Sequence, residues 1–203
     1  MSPAADFESL LEQILADPSR GEELTARLHA TFSRHKAILV LDMCGFSRVT
    51  QQRGVVAFLL MIRRMRRICE PCFLEHGGQI IKAGADDLLY SFDSASVALA
   101  AALDAQRRLA ESNRLVPTED HISCGMGIGF GEVLCGRGND LYGDELNLAS
   151  KLGEDVAREG QILLTARALA AIGEPAHSTR AATVALSGLD LIYHEVIWNE
   201  GSL

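Results

Sequence analysis

The sequence predicts an α+β fold, a mixed and mostly antiparallel sheet covered by helices, on three observations. Short apolar runs of strand length alternate with longer amphipathic stretches of helical length. Two of the short runs, in GQIIKAGADDLLYSF, are separated only by a polar turn containing glycine, which is a hairpin signal. Hairpins argue against a doubly wound parallel sheet, in which every connection must cross over. The 203 residues are 48% apolar, enough for one substantial core with an appendage.

Taken in order, DFESLLEQILA and GEELTARLHATFSRH carry helical periodicity and are separated by the breaker DPSRG. They predict an N-terminal helical extension over residues 1–35, ahead of a domain over 36–203. A strand is expected from Lys36 to Met43, then a helix from Val55 to Glu75 ended near Pro71 and the Gly77, Gly78 pair. After the hairpin, Ser94 is placed to cap a long Ala/Leu helix running to Asn113. HISCGMGIGFGEVLCG alternates small and apolar residues, as two adjacent strands would. The turn-rich RGNDLYGD leads into a helix reaching Arg158, a strand QILLT, a helix from Ala166, and strands near Thr183–Leu186 and Tyr193–Trp198.

Composition narrows the function. A net charge of −8, with acids spread along the chain, disfavours binding to nucleic acid backbones. The arginines of MIRRMRR then read as a solvated or interface face of a helix. Apolar runs such as VALAAAL fall far short of the roughly 20 residues that span a bilayer, and no charged-then-apolar leader opens the sequence. The expectation is a cytoplasmic protein with no membrane partner. Five cysteines form an odd set of reduced thiols, and CEPC lacks the second pair or histidines of a zinc motif, so packing at a helix end is the expected role. The glycines of CGMGIGFGE match neither a phosphate loop nor a dinucleotide fingerprint; they suit close packing.

The strand ILVLD stops on a carboxylate, Asp42, and the hairpin turn KAGADD holds another, Asp86. If the two segments are sheet neighbours, like charges meet at one edge, which is costly without a cation. Oxygen donors of this kind suit Mg²⁺ or Mn²⁺.

Five blocks in order, LDMCGFS, GGQIIKAGADDLLYSF, GMGIGFGEVLCG, DLYGDELNLASKL and GQILLT, resemble the class III adenylate/guanylate cyclase catalytic domain over residues 36–198. The resemblance implies a ferredoxin-like, palm-type sheet and a homodimer with shared active sites. It implies two Mg²⁺ or Mn²⁺ ions per site, held by Asp42, Asp86 and the carbonyl of Met43. The implied reaction is attack of the ribose 3′-oxygen on the α-phosphorus of a nucleoside triphosphate, expelling pyrophosphate. Phe46 and Ser47 fall among the implied substrate-binding residues, Lys82 and Asp140 match the adenine-reading pair, and Asn147 the residue that orients the ribose. An ammonium and a carboxylate complement the N1 acceptor and exocyclic amine of adenine and mismatch guanine. ATP is therefore favoured, although cytosine repeats the same pattern.

The sequence also departs from the family. Lys151 stands where arginine is usual; it keeps the charge but lacks the planar fork that grips two phosphate oxygens. Ser187 replaces a phosphate-contacting lysine, and Ala85 and Asp87 replace glycines beside Asp86. Arg48 or Arg137 would have to compensate. Three readings follow: an adenylate cyclase, a CTP or UTP cyclase of the antiphage-signalling type, and a weak or inactive nucleotide-sensing homologue whose N-terminal helices engage a regulatory partner.

Overall fold

A computed structural model describes residues 3–174, 176–186 and 189–198. The sheet is built around β1 (Ser33–Met43), whose residues Ala37–Leu41 are fully buried. Such a continuous apolar run, rather than an alternating one, marks a strand covered on both faces. The other strands are β2 (Gln79–Ala83), β3 (Asp87–Phe92), β4 (Cys124–Cys135), β5 (Leu141–Tyr142), β6 (Ile162–Thr165), β7 (Thr179–Leu186) and β8 (Leu189–Val196). Their order is β2-β3-β1-β4-β6-β8-β7, with the short β5 paired to the end of β4. Among the described residues only β4 and β6 run parallel, so the predicted mixed, mostly antiparallel sheet is present.

Helices cover the two faces unequally. One face meets α4 (Val55–Glu75), α5 (Ala95–Asn113) and α7 (Ala166–Ile172), which pack Met65, Phe73, Ala98, Ala102 and Ala168 against Leu39, Leu41, Met126 and Ile128. The other face, with Ile38 and Val40, meets α6 (Asp144–Ser150) and the single π-helical turn Lys151–Val156 that continues it. The Ser94 hydroxyl accepts from the Val97 N–H at the start of α5, the expected cap.

Four local expectations change. The GMGIGFGE region is one twelve-residue strand, not two, paired with β1 from Cys124 to Leu134. Its glycines face α6 and the π turn. A Cβ at Gly127 would lie 2.3 Å from the Ala149 carbonyl oxygen and 2.5 Å from the Gly153 nitrogen, and one at Gly129 would lie 2.5 Å from the Glu145 carbonyl oxygen. The missing side chains therefore mark a helix lying directly on the strand rather than an interruption of it. An unpredicted helix, α3 (Phe46–Arg53), sits between Gly45 and Gly54, whose φ angles of 88° and 80° suit glycine. RGNDLYGD contains β5, and the helix expected to reach Arg158 gives way to the π turn at Lys151.

At the amino end, α1 (Pro3–Ala16) and α2 (Gly21–Phe32) form a helical pair with its own cluster of Phe7, Leu10, Leu24, Leu28 and Phe32. Leu134 of β4 packs against that cluster, and the Phe7 ring stacks on Tyr142 at 6.1 Å. The first strand starts at Ser33, directly from α2. Among the described residues, no helix is long and apolar enough to cross a membrane.

Candidate active site

Asp42 is the penultimate residue of β1, and antiparallel pairing with β3 sets it opposite Asp87. The Met43 N–H donates to the Asp86 carbonyl oxygen at 3.1 Å, which closes the hairpin turn onto the end of β1. The two expected carboxylates thus meet at one strand end. Burial pushes the Asp42 carboxyl up to about 7, and the charges of Asp86, Glu154 and Asp87 push in the same direction. Glu154, on the π turn, is also raised, by burial and then by Asp87, while Lys82 pulls the other way.

Four carboxylates from three segments therefore share one end of the sheet. Burial and the neighbouring acids raise Asp42 and Glu154, an arrangement that a divalent cation with oxygen preference relieves. The donor set is carboxylate only, with neither imidazole nor thiolate among the predicted ligands, and it fits Mg²⁺ or Mn²⁺. Asp42 and Asp86 would hold such ions, with Met43 lying between them on the backbone path.

Lys82 and Asp140 lie at a neighbouring edge. The Asn139 side-chain amide donates to the Ile80 carbonyl oxygen at 2.8 Å, which ties the loop before β5 to β2. Both residues are exposed. Lys82 nevertheless has a partner in its own chain, Asp87, whose carboxylate is 3.5 Å from the ammonium. Gly84 makes room for that pair, since a Cβ there would lie 1.6 Å from an Asp87 carboxylate oxygen.

Asn147 projects from α6 into solvent, and Lys151, about one turn on, starts the π turn. What fixes α6 is a residue that sequence reasoning missed. Glu145, only 2% exposed, accepts from the Phe130 N–H at 3.1 Å and the Thr165 hydroxyl at 2.7 Å, with Arg167 at 3.7 Å. The signal for it was a glutamate in phase with Ala149 and Leu152, an acid on the apolar stripe of its helix. Glu154 was missed too, because an acid near a helix end reads as solvated.

Phe46 and Ser47 form the first turn of α3, directly after the Asp42 strand. Their side chains, and that of Arg48, lie outside the described part, as does Ser187 entirely. Arg137 is exposed in the loop that carries Asp140. A cavity of about 470 Å³ adjoins Cys44, Gln52, His121, Ser123 and Glu159, and among the described residues none of the predicted site residues lines it.

No protein-family model matches the chain. It is 29% identical over 163 residues, 80% of its length, to a Rhizobium meliloti (strain 1021) protein provisionally named adenylate cyclase 3. It is 26% identical over 133 residues, 66% of its length, to an adenylate cyclase of Streptomyces coelicolor. The chain spans 26% and 33% of the lengths of these two relatives. The crystal structure of a guanylyl cyclase superposes with a TM-score of 0.73 at 24% identity, covering 81% of this chain and 92% of that one, a likeness of fold. The helix-covered sheet, the ordered sequence blocks and these relatives agree: the chain is similar in sequence to adenylate cyclases and has the fold of the class III adenylate/guanylate cyclase catalytic domain.

Proposed function

We propose that the domain over residues 36–203 converts ATP into 3′,5′-cyclic AMP and pyrophosphate, at a site shared between two copies of the chain, with residues 1–35 as a helical extension. The observation that carries this reading is the meeting of Asp42 and Asp86 at one strand end, with Asp42 held near a pKa of 7 by burial and neighbouring acids.

In the reaction the 3′-oxygen forms a bond to the α-phosphorus, the bond to the bridging oxygen of the pyrophosphate breaks, and the 3′-hydroxyl proton leaves. Bound divalent ions would supply Lewis acidity toward the 3′-hydroxyl and charge neutralisation at the triphosphate. Asp42 and Asp86 would hold those ions, and the rigid end of β1 fixes the first carboxylate in place. Phe46 and Ser47, next along the chain after the Asp42 strand, are the further substrate-binding residues of this reading. Lys82 and Asp140 read the adenine edge, Asn147 orients the ribose, and Lys151 places positive charge where negative charge develops on the phosphorus.

Sharing of sites is tested by complementation. Chains with Asp42→Ala and chains with Asn147→Ala should each be inactive, and their mixture should regain activity through one intact site per mixed dimer. A mixture as inactive as its parents, with active wild type, overturns the shared site.

One observation favours a second reading. Lys82 is already paired with Asp87, so the base reader is partly engaged by its own chain. With less of the adenine contact secured, the smaller ring of cytosine, which repeats the same acceptor and amine pattern, becomes the alternative base in a narrower pocket, and a CTP or UTP cyclase the second reading. Product formation from each of the four nucleoside triphosphates, with Mg²⁺ and with Mn²⁺, separates the two, and nucleotide binding without pyrophosphate release would identify a sensor.

A further inference from the structure

Among the described residues, one cluster of mixed donors lies apart from the carboxylate site: Cys72 and His76 at the end of α4 and Asp104 on α5. We propose that these three side chains bind a zinc ion that clamps α4 to α5. Their donor atoms all lie within 4.8 Å of one another. The Cys72 sulfur is 3.3 Å from Asp104 Oδ2, and His76 Nε2 is 3.2 Å from the same oxygen. Tetrahedral zinc, with bonds of about 2.0–2.3 Å, holds its donor atoms about 3.3–3.7 Å apart, so the cluster needs little rearrangement to accept the ion.

Hydrogen bonding alone fits the cluster poorly. Three donors converge on Asp104 Oδ2: the Cys72 thiol, the His76 ring and Arg108 Nη2, the last at 3.0 Å. A carboxylate oxygen has about two lone pairs to offer, so one of these contacts has no acceptor to itself. An ion in place of the thiol and imidazole protons removes the excess, and Asp104 then bridges the metal and Arg108. The thiol has a second neighbour, the Ala101 carbonyl oxygen at 3.6 Å.

The charges also balance. Arg108 additionally donates to Glu75 at 2.6 Å. A divalent ion and Arg108 together offset a Cys72 thiolate, Asp104 and Glu75. Without the ion, burial and the neighbouring Asp104 carboxylate push the Cys72 thiol up to about 12, so it keeps its proton, and zinc uptake would release that proton to solvent. Cys72 is fully buried, while the His76 and Asp104 side chains are about 30% exposed and form the entrance. The fourth position is open to water.

The test uses the full chain, stripped with chelator and then loaded with Zn²⁺ or Co²⁺. One equivalent of zinc should remain after dialysis, and the cobalt form should show a thiolate-to-cobalt charge-transfer band. Cys72→Ser should abolish the band, and His76→Ala should weaken zinc binding at least about tenfold. Cys69→Ser should leave the band and the stoichiometry unchanged, as should Asp42→Ala, which separates this site from the proposed active-site ions. If the Cys72→Ser chain does not fold, His76→Ala carries the test. Well under one zinc per chain, a band that survives Cys72→Ser, or full zinc affinity in His76→Ala overturns the proposal and leaves a hydrogen-bonded tie between helices.

Discussion

Asp42 and Asp104 are both partly buried acids beside a central sheet, yet their carboxyls shift in opposite directions. Asp42 is raised, first by burial and then by Asp86, Glu154 and Asp87. For Asp104 burial also acts upward, but hydrogen bonds from Arg108, Cys72 and His76 outweigh it and hold the group below its ordinary value. Desolvation is common to the two places, so the sign of the neighbours decides the outcome. One region holds repulsion ready for a cation; the other uses a carboxylate to tie helices together.

The sharpest way to break this contrast is to remove each acid. Asp42→Ala should reduce cyclisation at least about a hundredfold in a product assay, while the metal-free melting temperature at pH 8 holds or rises. Asp104→Asn should do the reverse to stability: the loss of charge-assisted bonds to Arg108 should cost about 1–3 kcal/mol in denaturant unfolding.

Proton linkage gives the next largest effect. A folded-state pKa raised to about 7 means that the Asp42 contribution to stability is present below the unfolded value and is lost as pH rises toward 7. The metal-free protein should therefore melt at progressively lower temperature over that interval, with the slope flattened by Asp42→Asn and by saturating Mg²⁺. Asp104 runs the other way, since its folded pKa is lowered. Its contribution is present above the unfolded value and is lost on acidification through the folded one, a slope that Asp104→Asn should remove. The smallest effect is expected from Glu154→Gln, which takes away one like charge. Asp42, followed by carboxyl NMR titration, should move part of the way back toward its ordinary value, and an unmoved Asp42 would leave burial and the two hairpin acids as its cause.

How much of this was legible depended on whether the signal was local. The end of β1 at Asp42, the hairpin that carries Asp86 and the Ser94 cap are fixed by apolar runs, turn residues and a hydroxyl within a few positions of one another, and each could be read. The four-carboxylate convergence was legible only in part, because Glu154 arrives from a distant segment. The β4 glycines suited close packing, as they do, but the partner was not legible because a missing side chain carries no record of what occupies its space, here the backbone of α6 and the π turn. The π turn was hidden for a related reason: KLGEDV has helical character, and the close approach of Gly153 to Gly127 and Val40 within it leaves no local signal. The helix Phe46–Arg53 is short and polar, so it carried no apolar periodicity from which to read it.

The interlocking of β1, β3, β4 and the π turn bears on how the protein emerges during synthesis. β1 is made early, but its neighbour β4 and the turn bearing Glu154 leave the ribosome only after a long stretch of further chain. Until then the Asp42 end of β1 lacks most of its covering, and so most of the desolvation that distinguishes it. A nascent chain halted before Val156 should carry an Asp42 that ionises at lower pH than in the folded domain, so the charge state of this one side chain reports whether translation has passed that point.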